Sequence, residues 1–419
     1  MQSLELAAYD FLLRSRPDKG QDDRFLLIEI DALDRQNEDG KDRFSKATIT
    51  DETYEELFQK LSKSNPVAIG LDVYRDVEVD SSKHKVFKDY LLQDEKNLFV
   101  VCKVIAPEYK DIGDPPPIEV ADKSHRLGFS DFVSDYHGGN EIIRRQLIEM
   151  EPPSNLVFDQ QPTNKRPCIA ERAFSFQIAL HYLKEIRNID LKPEKIDISS
   201  NNKGVYSFNN SDDGEVALHR LKNFSSGYEG IDAGGYQLLL NYRTSDGSPE
   251  NFITRIPLRR FLTGESDGLI GNLENKIVLI GITDPDAGDL WATPYDYEKR
   301  TPGIIIQAQM ISQLLDAAEG KRPILWALED WQADLWIWGC FTIGCITVWI
   351  FHSRWQLLGV QIILVGVLFI SCVVVFNRLG GWLPFVPFAL ALTTPAVVSI
   401  LTLTQPKSRS KSELPPSKS

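Results

Sequence analysis

Three apolar runs constrain this chain more than any other feature: about Ala333 to Phe351, Leu357 to Phe376 and Trp382 to Leu403. A helix rises about 1.5 Å per residue, so roughly twenty residues cross a hydrocarbon core of about 30 Å. Only HSRWQ and NRLGG separate the runs. Connections that short force helices to run up, down and up as neighbours, which predicts a three-helix transmembrane bundle over 333–403. Seven of the eight tryptophans lie at or beyond Trp326, and Trp331, Trp336, Trp355 and Trp382 fall near run ends, where indoles settle at headgroup depth. Pro384 and Pro387 predict a bend at the start of the third run, since bundle neighbours can satisfy the carbonyls that proline frees.

Basic residues near the helix ends give an orientation. With the large N-terminal part outside the cytoplasm, the inner segments carry Arg354, Lys407, Arg409, Lys411 and Lys418; the reverse orientation leaves them Lys321, Arg322 and Arg378. Five against three places the domain outside, on a multi-pass anchor in the cell's inner or plasma membrane. Residues 404–419, ending PKSRSKSELPPSKS, then read as a disordered cytoplasmic tail. The opening MQSLELAAYDFLLRSRP has neither a basic stretch leading into an apolar one nor a full span. Export of the domain therefore calls for a helix upstream of Met1; the alternative is a cytoplasmic domain.

A net charge of −13 argues against nucleic acid as a partner, because binding phosphate needs clustered Lys and Arg. Five cysteines show no CxxC spacing and no pairing with His, which disfavours zinc, and no metal is expected. Cys102 and Cys168 could bridge outside the cytoplasm, but two isolated thiols are the simpler expectation.

From Arg24 short apolar runs alternate with amphipathic stretches. FLLIEID (Phe25 to Asp31), VAIGLDV (Val67 to Val73) and NLFVVCKV read as strands, with helices over TYEELFQKLSKS and about Val86 to Leu92 between them. This βαβ rhythm predicts a parallel sheet with right-handed crossovers. A helix follows near Ala170 to Arg187, then loops or a peripheral hairpin over Asp190 to Gly235 and strand character in YQLLLNYR. KIVLIGI (Lys276 to Ile282) is the strongest strand, and Gly303 to Ala318 the helix behind it. The fold class is α/β, a mixed, mainly parallel sheet in one domain over 1–322, followed by the membrane bundle.

Phosphate-loop, dinucleotide, zinc-protease, serine-hydrolase and kinase motifs are absent from the sequence, and its six histidines, among them His125 and His137, are scattered. No enzyme and no cofactor is expected. Acidic residues do gather where predicted strands end: Asp31, Asp72, Asp284, Asp286 and Asp289. Open α/β sheets bind ligands beyond the carboxyl ends of their strands, so these are candidate ligand residues; each could equally cap a turn or helix. DPDAGD lacks the glycine and closing glutamate of a calcium loop. In DFVSDYHGGNEIIRR, Asp131 and Asp135 precede a Gly-Gly turn and Arg144 and Arg145 follow it, which predicts either a structural ion pair or an arginine-lined pocket for an anion.

Several blocks together carry a family resemblance: LELAAYD, VAIGLDVYRD, LGFSDFVSDYHGGNEIIRRQLI, SFQIALHYL, LLLNYR and NKIVLIGITDPDAGDLWATPYDYEKRTPGIIIQAQMISQLLDA, with Thr293 and Pro294 in the last. In this order they resemble CHASE2 domains over nearly all of 1–322, and three membrane helices directly afterwards are usual in that family. The resemblance implies an extracytoplasmic bacterial sensor, common in cyanobacteria, that drives an effector such as a histidine kinase or cyclase. It adds Thr293 to the candidate ligand residues. Gln307 stands where the family pattern has His, and Ala32 follows Asp31 where an acidic residue is frequent. Partners expected on this basis are membrane lipid, a small-molecule ligand, and a second copy or a separate signalling effector. The competing readings are a membrane-bound metal-dependent enzyme using the strand-end aspartates, and a non-binding scaffold or truncated remnant.

Overall fold

The computed structural model describes residues 1–38, 48–94, 97–104, 113–137, 139–151, 167–193, 206–210, 214–266, 268 and 271–404. The tail from 405 onward, with Lys407, Arg409, Lys411 and Lys418, lies outside the described residues.

Six short, apolar segments form the central sheet: β1 (Phe25–Ile30), β2 (Ala68–Asp72), β3 (Leu98–Cys102), β4 (Leu127–Phe129), β5 (Thr254–Pro257) and β6 (Ile277–Ile282). All pair in parallel, in the order β5-β1-β6-β2-β3-β4. β1, β2, β3 and β6 are almost continuously buried, as strands covered on both faces must be. The helices Asp51–Leu61 and Lys85–Leu92 cover one face, joined by stacked rings of Tyr54 and Phe58 on Phe87 at 4.9 and 5.1 Å. The helices Phe174–Tyr182 and Gly303–Ala318 cover the other, where Gly70 and Gly281 leave no space between strand and helix for a side chain.

Strand order reverses at β6, which inserts between β1 and β2. The chain leaves β2 toward Lys85–Leu92, and leaves its neighbour β6 toward Gly303–Ala318 on the opposite face. Connections that part in this way open a crevice at the carboxyl ends of the two strands.

Several sequence expectations change. YQLLLNYR stays out of the central sheet: Tyr236–Leu239 pairs antiparallel with Arg145–Glu149, and the edge beside β1 belongs to β5, whose Pro257 is tolerated at a strand end. Cys102 and Cys168 are bridged rather than separate, their Cα atoms 5.5 Å apart because the end of β3 and the approach to the Phe174–Tyr182 helix meet in the fold. The Asp190–Gly235 region does carry a peripheral antiparallel pair, Tyr206–Asn210 with Gly214–Leu218, as its composition leads one to expect, and Leu191–Pro193 adds a third strand to it.

At the C-terminal side, Asp330–Ile350, Arg354–Leu379 and Phe385–Thr404 form three helices, each with an apolar stretch long enough to cross a membrane. Trp331, Trp336 and Trp355 are exposed at their ends, as an interfacial belt requires. Trp382 is not: it is fully buried, paired through Gly381–Trp382 with Trp326–Ala327, and its indole N–H donates to Glu5 at 3.0 Å. Pro384 and Pro387 do not interrupt the third helix, because it begins at Phe385 and its first turn has no internal carbonyl for a proline to free; the proline inside the helix is Pro395. There the first and third helices touch backbone to backbone, since a methyl on Gly344 would lie 2.3 Å from the Leu392 carbonyl oxygen.

The segment MQSLELAAYDFLLRSRP forms a helix, Gln2–Arg14, wedged between the sheet domain and the membrane helices. Leu6, Tyr9, Leu12 and Leu13 join one apolar cluster with Ile143, Met310, Phe376 and Trp382. Glu5 accepts from the backbone N–H groups of Phe385 and Val386, and so caps the third membrane helix from outside it.

Candidate ligand cleft

The crevice beside β6 and β2 is a cleft of about 520 Å³. Residues that directly follow parallel strands line it: Tyr74 after β2, Lys103 after β3, Ser130 after β4, and Asp289 in the turn after β6. Phe132 and Trp291 form an aromatic wall, in edge contact at 5.3 Å.

Two carboxyl groups face each other here. Asp72 is the last residue of β2 and stands beside Gly281 of β6, which packs on Ile304, so it lies on the face that the Gly303–Ala318 helix covers. Asp289 is held by the indole N–H of Trp291, donating at 2.7 Å, and lies so close to Gly303 that a methyl there would fall 2.2 Å from its Oδ2. Glycine at the helix start is thus what lets this carboxylate reach the helix N-terminus. Burial, and then the charge of Asp289, push the Asp72 carboxyl up to about 8; burial also raises Asp289, against the pull of the Trp291 indole, the Gly303 N–H and the Lys103 charge. Among the described residues no hydrogen bond or ion pair reaches the Asp72 carboxylate.

The other walls are fixed. Tyr74 and Ser130 share a hydroxyl hydrogen bond of 2.6 Å, and Asp131 accepts from the Val104 N–H at 3.0 Å. Gln307, 2 % exposed, donates its amide N–H to the Ser130 carbonyl at 3.1 Å, which leaves its Oε1 as a buried acceptor with no partner among the described residues. Arg75 turns away, bidentate to Asp51 at 2.5 and 2.8 Å.

The remaining sequence candidates lie elsewhere, and Asp31, Asp284, Arg144 and Arg145 are engaged within the chain. Asp31 caps the helix Ala32–Asn37 and binds Arg259 at 2.7 Å; Asp284 caps the turn Pro285–Ala287 and pairs with Arg35. Asp286 is exposed in that turn. Thr293 is buried at the end of the strand Leu290–Thr293, its hydroxyl without a partner among the described residues. Asp135–His137 and Asn140–Ile142 form the expected hairpin, and Arg145 reaches Asp135 at 2.8 Å. Arg144 takes a distant partner, Asp10 of the N-terminal helix, through two bonds of 2.7 Å with both side chains fully buried. Tyr297 also donates to Asp10. Of the residues the sequence singled out as ligand candidates, the cleft brings together Asp72 and Asp289. Tyr74, Lys103, Ser130 and Trp291 were missed, although the strand-end rule that found Asp72 reaches the first three once LGF is recognised as a strand.

Among the described residues no group of three or more His, Cys, Asp or Glu side chains converges in a way that could hold a metal ion. The cleft can therefore act as an acidic, partly aromatic receptacle held by rigid strands. No curated protein and no solved structure matches the chain, whereas a family model described as the CHASE2 domain matches residues 1–346.

Proposed function

The chain belongs to the CHASE2 family of extracellular sensor domains, and from that premise we propose that it is a membrane-anchored receptor module that binds a small molecule in the cleft between β2 and β6 and passes the change to its membrane helices. One observation carries this reading. The cleft walls Phe132 and Trp291 pack on the apolar cluster that contains the N-terminal helix and, at its far side, Phe376 and Trp382 of the membrane segment. Occupying the cleft therefore presses on side chains that the anchor shares. A ligand drives such a change only if it favours one packing of that cluster over another.

The reading places the domain outside the cytoplasm, where a Cys102–Cys168 bridge persists, and the tail inside, in keeping with the balance of basic residues. It passes the signal to a second copy or a separate effector, and it assigns the cleft to binding rather than turnover.

The test fills the cleft without any ligand. Ala287→Trp puts a large ring into it, and dyes carried by unnatural amino acids at exposed Ser82 and Ser353 report the spacing between domain and bundle by energy transfer. The reading predicts a shifted transfer efficiency in lipid nanodiscs. An unchanged efficiency in a folded A287W chain contradicts it.

A further inference from the structure

Among the described residues the cleft is lined by five aspartates, Asp72, Asp76, Asp114, Asp131 and Asp289, and by two basic residues, Arg75 and Lys103. One of the two basic residues is committed to Asp51, which lies outside the lining. Even with Asp72 counted as neutral the described lining carries more carboxylates than basic groups, and the low-dielectric walls concentrate that charge. Acceptors also outnumber donors at the deep end. Asp72 has no partner among the described residues, and the Oε1 of Gln307 is buried without one, its orientation fixed by the bond its own N–H makes to Ser130. A buried acceptor left unmade costs about 1–3 kcal/mol, and a ligand that donates to it recovers that cost.

Charge and hydrogen bonding thus both call for a cationic donor, and size separates the kinds of cation. A bare divalent ion needs six to eight oxygens drawn to about 2.4 Å, and the described residues offer no such convergence. The cleft, at about 520 Å³, suits an organic molecule instead. Phe132 and Trp291 supply ring surface of the kind that attracts an ammonium group and accepts an apolar tail.

We infer that the cleft recognises a small organic amine, its ammonium group held by Asp72, Asp289 and the Oε1 of Gln307 and its tail lying on Phe132 and Trp291. An ammonium has three N–H donors and the site presents three acceptors, so the match is one of number as well as charge. Asp289 is the preset member, positioned by Trp291 and Gly303; Asp72 and Gln307 are the members whose bonds are completed on binding.

The inference rests on the cleft being the sensing site, and the experiment keeps the two apart. Full-length chain in nanodiscs is titrated with phenethylamine and butylamine, with their neutral counterparts phenylethanol and butanol, and with calcium chloride, reading Trp fluorescence and thermal unfolding. The amines should raise the midpoint by about 3 °C or more near saturation, and the alcohols should not. Asp72→Asn and Asp289→Asn should each weaken amine binding at least about tenfold, and Gln307→Leu, which keeps the charges, about three- to tenfold. Circular dichroism checks that each variant is folded. Three results overturn the inference: equal binding of alcohol and amine, binding of calcium in place of the amines, or amine binding that D72N, D289N and Q307L all leave intact. No response to either amine overturns it too, while the A287W experiment reports separately on the cleft as the sensing site.

Discussion

Two regions of this molecule hold carboxylates away from bulk water, fully buried in one and partly buried in the other, and treat them in opposite ways. At the junction with the membrane helices, Asp10 meets the guanidinium of Arg144 at 2.7 Å with both groups fully buried, and Asp135 sits between Arg144 and Arg145. In the cleft, Asp72 and Asp289 face each other with Lys103 nearby, and burial raises both. The difference shows where the chain holds its parts together and where it keeps capacity for something else. A satisfied pair serves the fold, whereas an acidic pair whose carboxyls burial pushes upward has a role that the fold alone does not explain.

The sharpest way to break this comparison is at the junction. Asp10→Ala leaves the Arg144 guanidinium, which is 0 % exposed, with Asp135 at 3.6 Å as its remaining counter-charge, and should cost about 3 kcal/mol in urea unfolding of the full chain. Replacing both partners, Asp10→Leu with Arg144→Met, should recover most of that loss, because the buried charges that remain, Asp135 and Arg145, still pair with each other at 2.8 Å. A double variant as unstable as the single one would mean that the pair does more than balance itself.

Next in size is the bridge at the end of β3. Reducing Cys102–Cys168, or replacing both cysteines by serine, opens a closure spanning 66 residues and should cost about 2–4 kcal/mol.

In the cleft the sign reverses. Asp72 has its carboxyl raised to about 8, so the folded state holds a proton that the unfolded chain releases at about 4. Its contribution is therefore fully present at low pH and is lost as pH rises through this window. Asp72→Asn should stabilise the chain at pH 8 by about 1–3 kcal/mol and flatten that part of the pH profile, while it weakens amine binding at least about tenfold. An asparagine that destabilises at pH 8 would remove the cleft from this side of the comparison.

The smallest effect is expected at the surface. Lys222 and Glu329 pair at 2.8 Å with both side chains about half exposed, and Glu329→Gln should change stability by less than about 1 kcal/mol.

The sequence makes the core of this arrangement legible and hides its connections. β1, β2 and β6 are apolar runs flanked by amphipathic helices, so their burial and parallel pairing follow from periodicity. Asp72 and Asp289 were found by the rule that ligands gather at strand ends. The same rule also picked Asp31 and Asp284, which the fold uses as caps and pairs with Arg259 and Arg35, because those arginines are brought there only by folding. Arg144 and Asp10 stand 134 residues apart, and no local pattern announces their meeting. Trp382 reads as an interfacial residue by its place beside an apolar run, yet the N-terminal helix covers it and Glu5 takes its N–H. β4 has three residues, too few for alternation to register, so the cleft wall that carries Ser130 was out of reach.

The central claim is that the cleft and the membrane junction form one responsive unit. Hydrogen exchange of the full-length chain in nanodiscs, with and without saturating phenethylamine, tests it most directly. The account predicts altered protection both in segments around Asp72 and Asp289 and in the N-terminal helix Gln2–Arg14 with the Phe376–Val386 region. Protection that changes in the cleft alone, with the junction exchanging as before, would contradict it.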